Sequence, residues 1–148
     1  MTLEILTIGY ERAGFDGLLE ALIEAGVETV IDVRELPNSR RAGFSKSLLK
    51  ANLAQAGIGY VHMKALGTPK AGRSAHRAGD MGTFWSIVDA ALDRPEAHLA
   101  LEQAAVLARG QRTCLMCLEH DWRICHRARV CERLAAAHGF TAAHLAPG

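Results

Sequence analysis

Short apolar runs and amphipathic stretches alternate along the chain. Leu3 to Ile8 is aliphatic and β-branched and ends at Gly9-Tyr10, which predicts a strand. Phe15, Leu18, Leu19, Leu22 and Ile23 then recur at helical spacing, predicting a helix over Phe15 to Ala25 with Gly26 as its stop. Glu28 to Val33 is a second strand, and its Val30-Ile31-Asp32-Val33 run is apolar on both faces. The unit repeats: a loop from Arg34 to Phe44, a helix from Ser45 to Ala56 with Ser45 at the N-cap position, Gly57, then a third strand from Ile58 to His62.

The second half is less regular. Leu66 to Gly82 carries several glycines, Pro69 and basic residues without an apolar period, and is expected to be a long mobile loop. Phe84 to Leu92 and Glu96 to Ala108 read as helices, the latter opened by Pro95 and closed by Gly110. Arg112 to Leu118 is a fourth strand, Trp122 to His138 the last helix, and Phe140 to Leu145 a fifth strand. Strands apolar on both faces need cover on both sides. The expectation is an α/β fold: a three-layer α/β/α sandwich around a mainly parallel sheet of about five strands. The chain of 148 residues has no linker or low-complexity tract, so residues 1–148 are expected to form a single domain.

Composition narrows the setting. No apolar run is long enough for a bilayer span, and Met1-Thr2-Leu3-Glu4 does not open a secretory leader, so a soluble, cytoplasmic protein is expected, with no membrane partner. Cys114, Cys117, Cys125 and Cys131 crowd into one short stretch, unlike a disulfide scaffold, and are expected to be free thiols. The net charge is only +1, yet the stretch from Arg34 to Arg77 holds nine Lys/Arg against one acid, Glu35. That asymmetry suits an anionic small molecule or a nucleic acid as partner, although a solvated basic face accounts for the same counts.

In a parallel sheet, ligands bind beyond the carboxyl ends of the strands. Applied here, the rule selects Tyr10, Asp32, Arg34, the Pro37 to Phe44 loop, His62, Cys117, Glu119, His120, Asp121 and His144. Asp32 and Arg34 share a face by strand alternation, and a buried Asp32 must be paired or hydrogen-bonded. Ser39, Arg40 and Phe44 sit in a loop leading to a helix N-terminus, where free N–H groups and the dipole favour anions. Cys125 is expected in the first turn of the last helix beside His126 and Arg127, a setting that lowers a thiol's pKa and makes it the nucleophile candidate. Cys114-x-x-Cys117 resembles half a zinc knuckle, but residues at that spacing on a strand face opposite ways. No metal site and no cofactor are expected, and neither a Walker nor a dinucleotide glycine pattern occurs. Cys117 and Arg123 have the spacing of a tyrosine phosphatase loop, but Glu119 and Asp121 would repel the dianion such a loop holds. The Ile31 to Glu35 segment looks like a rhodanese strand, without that family's short arginine-containing cysteine loop.

Taken together, Thr7-Ile8-Gly9-Tyr10, Ile31-Asp32-Val33-Arg34, Pro37-Asn38-Ser39-Arg40, Gly43-Phe44-Ser45, Leu66-Gly67-Thr68-Pro69 and Cys117-Leu118-Glu119 with Cys125-His126-Arg127 resemble domain-of-unknown-function family 488, almost end to end. The resemblance implies an uncharacterised bacterial or archaeal α/β domain. It also implies that Tyr10, Asp32, Arg34, Ser39, Arg40, Glu119, Cys125, His126 and Arg127 act together. The resulting expectation is an anion pocket with Arg34, Arg40 and Arg127 as clamps positioned by Asp32 and Glu119, and with Tyr10, Ser39 and Phe44 also at the ligand. Were it an enzyme, Glu119 or His126 would be acid or base and Cys125 the nucleophile, in hydrolysis or group transfer. A non-catalytic nucleic-acid-binding module, a rhodanese-like or other thiol-dependent enzyme, and a structural adaptor are the alternatives.

Overall fold

The computed structural model describes residues 3–147. Its five strands, β1 (Glu4–Gly9), β2 (Thr29–Asp32), β3 (Gly59–His62), β4 (Thr113–Cys117) and β5 (Thr141–Leu145), form one parallel sheet in the order β3-β2-β4-β1-β5. The expected α/β sandwich with a parallel sheet is therefore the observed architecture. Period-two alternation sorts the central strands onto two cores. Leu6, Ile8, Val30, Cys114 and Met116 pack under α1 (Phe15–Glu24) and α2 (Lys46–Gln55), represented by Leu18, Leu22, Leu49 and Leu53. Ile5, Ile31, Val33, Leu115 and Cys117 face the other way, toward α4 (Met81–Leu92), α5 (Pro95–Gly110) and α6 (Arg127–His138). Cys114 and Cys117 thus lie on opposite faces, as strand geometry requires.

Two expectations need correcting. The segment from Leu66 to Gly82 is not a structureless loop: Lys64–Leu66 forms a 3-10 turn and Lys70–Arg77 the helix α3. Its buried positions are Gly72 and Ala75, so the face that packs carries almost no side chain, and no apolar period marks it in the sequence. A Cβ on Gly72 would come within 2.6 Å of Thr68 Cγ2 and 3.1 Å of Ile87 Cγ2, which shows how tightly α3 is seated against α4 and the turn before it. The last helix begins not at Trp122 but at Arg127, because Trp122–Ile124 is a separate 3-10 turn capped by the Asp121 side chain accepting from Arg123 N. No helix among the described residues is long and apolar enough to cross a membrane.

In native-state hydrogen exchange, the amides of Arg73 and Ala78, which donate to Pro69 O and Ser74 O, are expected to exchange well slower than free peptide. Exchange at the free-peptide rate would restore the loop reading of this segment.

Candidate functional site at the carboxyl edge of the sheet

Neighbouring strands β1 and β4 send their connections to opposite faces, α1 to one and α6 to the other, so the chain parts at their carboxyl ends. This is the switch point at which open α/β sheets form a crevice. Gly9, the last residue of β1, decides how the crevice is closed. A Cβ there would lie 1.8 Å from the Glu119 carbonyl oxygen, so only glycine lets the segment after β4 pass this close. Pairing continues beyond the strand ends, with Tyr10 N donating to Cys117 O at 3.2 Å and Glu11 N to Leu118 O at 2.8 Å. From α6, the buried Arg127 donates through Nε to Thr7 Oγ1 (3.1 Å), Nη1 to Glu119 O (2.6 Å) and Nη2 to His120 O (3.3 Å).

Past β2, Arg34 turns back on Asp32. Its Nε and Nη2 donate to the two carboxylate oxygens at 2.9 and 2.8 Å, with both residues buried. Asp32 also accepts from Tyr60 Oη, and Arg34 Nη1 donates to Tyr10 Oη at 3.1 Å. Burial alone would lower the pKa of Arg34, but the hydrogen bonds and charge of Asp32 raise it further above its ordinary value. Burial and Asp32 together push the Tyr60 phenol up. Three of the five guanidinium N–H groups of Arg34 are thereby used, which leaves donors for a ligand. Tyr10 is itself held by a parallel stack on Phe44, with ring centroids 4.3 Å apart.

Cys117, at the end of β4, meets Cys125 and His126, which the Trp122–Ile124 turn delivers just before α6. His126 Nδ1 lies 3.7 Å from Cys117 Sγ and 3.8 Å from Cys125 Sγ, while Nε2 is 2.8 Å from Val33 O. A carbonyl only accepts, so Nε2 carries a proton and Nδ1 faces the sulfurs. Burial opposes ionisation of Cys125. A hydrogen bond from Cys117 and the cations His126 and Arg127 outweigh it, lowering the Cys125 pKa well below the usual thiol value. Cys117 moves up, through that same hydrogen bond, burial and the neighbouring negative charge. For His126 burial works downward, but Cys125 and Glu119 raise it. Glu119 Oε2 is 3.6 Å from Cys117 Sγ, and burial with the Cys125 charge pushes its carboxyl up to about 7.

Several of these groups border one cavity of about 290 Å³. Tyr10, Arg34 and Asn38 line it from the β1 and β2 exits, Thr68 and Arg73 from α3 and the turn before it, and Cys117, Glu119 and His126 from the β4 to α6 segment. Arg73 Nη1 donates to Glu35 Oε1 at 2.6 Å and Thr68 O at 2.7 Å. Of the residues expected from the sequence, Tyr10, Arg34, Asn38, Cys117, Glu119 and His126 line the cavity. Asp32 lies behind Arg34, and Phe44 is buried beneath Tyr10.

Others are placed elsewhere. Cys125 is buried and precedes α6 rather than opening its first turn. Arg127, expected as a clamp, does not line the cavity, and its three nitrogens donate inside the protein to Thr7, Glu119 and His120. Arg40 is exposed and does not line the cavity; its neighbour Arg41 is the one that reaches inward, to Tyr10 O at 2.8 Å, Ala13 O at 2.8 Å and Glu11 O. Ser39 and Ser45 clasp each other: Ser45 Oγ donates to Ser39 O at 2.9 Å, so Ser45 caps by position but not by side chain. Thr68 and Arg73 lie outside that selection, whereas Asn38 belongs to the Pro37 to Phe44 loop. The signal for the first two was the Leu66-Gly67-Thr68-Pro69 block: a Cβ on Gly67 would sit 2.2 Å from Glu35 N, and that close approach seats Thr68 and α3 at the exit of β2.

A parallel α/β sandwich with a thiol, imidazole and carboxyl cluster at its switch point is the class that fold and site define. The chain belongs to the family described as a domain of unknown function, DUF488, whose family model matches residues 15–134. No curated protein and no solved structure matches it.

Replacing Asp32 by Ala leaves Arg34 buried without its counter-charge and is expected to cost about 3 to 5 kcal/mol, measured by urea unfolding. A loss below about 1 kcal/mol would show that the pair is not the anchor described. A second expectation concerns His144, whose Nδ1 is 2.6 Å from Thr7 Oγ1 and whose ring stacks on Trp122 at 4.0 Å. Thr7 accepts from Arg127, so its hydroxyl proton goes to a neutral His144. Burial, then the Arg127 charge, lowers the pKa of His144 below 6.5. The unfolded chain therefore takes up this proton first, and stability contributed by the neutral ring falls as pH drops below about 6.5. Urea midpoints should decline less over that window in His144→Gln than in the wild type; parallel profiles would remove His144 from the account.

Proposed function

We propose that the cavity binds a small anionic ligand, phosphate-bearing or a nucleotide, and that the protein carries out hydrolysis or group transfer on it. The observation that carries this reading is the meeting, in one cavity at the switch point, of guanidinium donors from Arg34 and Arg73 with the Glu119 carboxyl and the His126 ring. Guanidinium groups already oriented by Asp32 and Glu35 hold an oxyanion at little entropic cost. Glu119, bordering the same cavity, is the group placed to give or take a proton, with Tyr10 Oη and Asn38 as neutral contacts. The volume, near the lower end for ligand sites, suits a small molecule.

A nucleic-acid-binding module draws less support, because the basic stretch is divided between the faces of the sheet. Lys46 and Lys50 lie on α2, over one core, whereas Lys70, Arg73 and Arg77 lie on α3, over the other. A thiol-dependent transfer is favoured by one observation, that Cys117 lines the cavity. In that reading Cys117, rather than the expected Cys125, is the sulfur a ligand meets. Four free thiols fit a reducing, cytoplasmic setting.

Titration with inorganic phosphate and with AMP, followed by amide chemical shifts, tests the leading reading. Saturable binding is expected, with perturbations centred on Arg34, Arg73 and Glu119, and Arg73→Ala should weaken it by about 10- to 100-fold, the worth of a charge-assisted hydrogen bond. Absence of saturation with either probe, or equal affinity in Arg73→Ala, would refute it. Alkylation by iodoacetamide separates the thiol reading: phosphate should protect Cys117 if the ligand sits against it.

A further inference from the structure

We propose that Cys117, Cys125 and His126 form a binding site for a thiophilic divalent cation, zinc foremost, with the fourth position facing the cavity and within reach of Glu119. The inference goes beyond the anion reading and does not require it.

The donor set is already assembled. Tetrahedral zinc, with Zn–S near 2.3 Å and Zn–N near 2.0 to 2.1 Å, needs its sulfur and nitrogen donors roughly 3.5 to 3.8 Å apart. The His126 Nδ1 separations of 3.7 and 3.8 Å from the two sulfurs meet that requirement, and all three donor atoms lie within 4.8 Å of one another. The ring is also oriented as metal-bound histidines are. Its far nitrogen donates to a backbone carbonyl, Val33 O at 2.8 Å, which directs Nδ1 to the sulfurs and fixes the ring plane. The backbone beneath is equally fixed: Tyr10 N binds Cys117 O, Cys125 N binds Trp122 O, and Val130 N binds His126 O.

The other two cysteines provide the contrast. Cys114 and Cys131 are also buried, but among the described residues neither has a histidine or carboxylate hydrogen-bonded to its sulfur, which is how cysteine behaves as a small core residue. At Cys117 the neighbours are the imidazole and Glu119 Oε2, at 3.6 Å. Two thiolates and one imidazole select zinc over magnesium or calcium, which prefer oxygen. Three protein donors with a fourth position on a cavity is the arrangement of a reactive rather than a closed structural centre.

Chelator-treated, reduced protein titrated with Co²⁺ in phosphate-free buffer provides the test. One Co²⁺ per chain should bind with a sulfur-to-cobalt charge-transfer band and the intense visible bands of a tetrahedral ion, and stoichiometric Zn²⁺ should displace it. Cys117→Ser and Cys125→Ser should each weaken Zn²⁺ by more than about 100-fold, since loss of even an outer-sphere partner costs 10- to 100-fold. Cys131→Ala should bind as the wild type does. Absence of the charge-transfer band in the wild type overturns the site, whatever the variants do. So does a band that survives in a folded Cys125→Ser protein, or a second thiolate-bound ion lost in Cys131→Ala. Because no anion is present, failure here leaves the phosphate titration to stand or fall separately.

Discussion

The guanidinium of Arg127 is a buried cation with no carboxylate within salt-bridge range among the described residues. Such a charge is costly unless every donor is matched and negative charge lies near. Thr7 Oγ1 and the carbonyls of Glu119 and His120 supply the acceptors, so one side chain from α6 ties together strand β1 and the segment that follows β4. Arg127 is among the groups that lower the pKa of Cys125. The cation therefore has two consequences. It holds the loop that carries Glu119, and it favours the thiolate of Cys125.

An ion pair, by contrast, orients the Arg34 side of the cavity. Asp32 and Arg34 neutralise one another, and Tyr60, Tyr10 and Phe44 extend the arrangement by hydrogen bonding and stacking. Arg73 is similarly matched to Glu35. The cavity thus has oriented N–H donors without a large uncompensated positive field. Recognition of an anion there would rest on the direction of hydrogen bonds more than on bulk attraction.

How much of this could be read in advance depended on which physical signal each part leaves in the chain. The strands were visible because Val30-Ile31 and Thr113 to Cys117 are apolar on both faces, a pattern only a covered sheet uses. Helix α3 was invisible because the residues it buries, Gly72 and Ala75, contribute packing through the absence of side chain. The pairing of Asp32 with Arg34 followed from alternation. The choice between Arg40 and Arg41 did not, since it depends on the path of an irregular loop. Arg127 looked like a ligand clamp because its type and position are those of one. Only its three internal acceptors and its place outside the cavity lining show that it points into the protein. Cys117 and Cys125 match no short spacing rule, and the 3-10 turn at Trp122–Ile124 is what returns the second sulfur to the first.

The missing methyl at Gly9 has a wider reach than its size suggests. The room it leaves is occupied by the Glu119 carbonyl, and that carbonyl is held in turn by Arg127. Any side chain at position 9 would displace a peptide group that shares its backbone with Cys117 on one side and His120 on the other. Damage to the chemistry could then originate at a residue with no functional group of its own, and a survey confined to cavity-lining side chains would miss it.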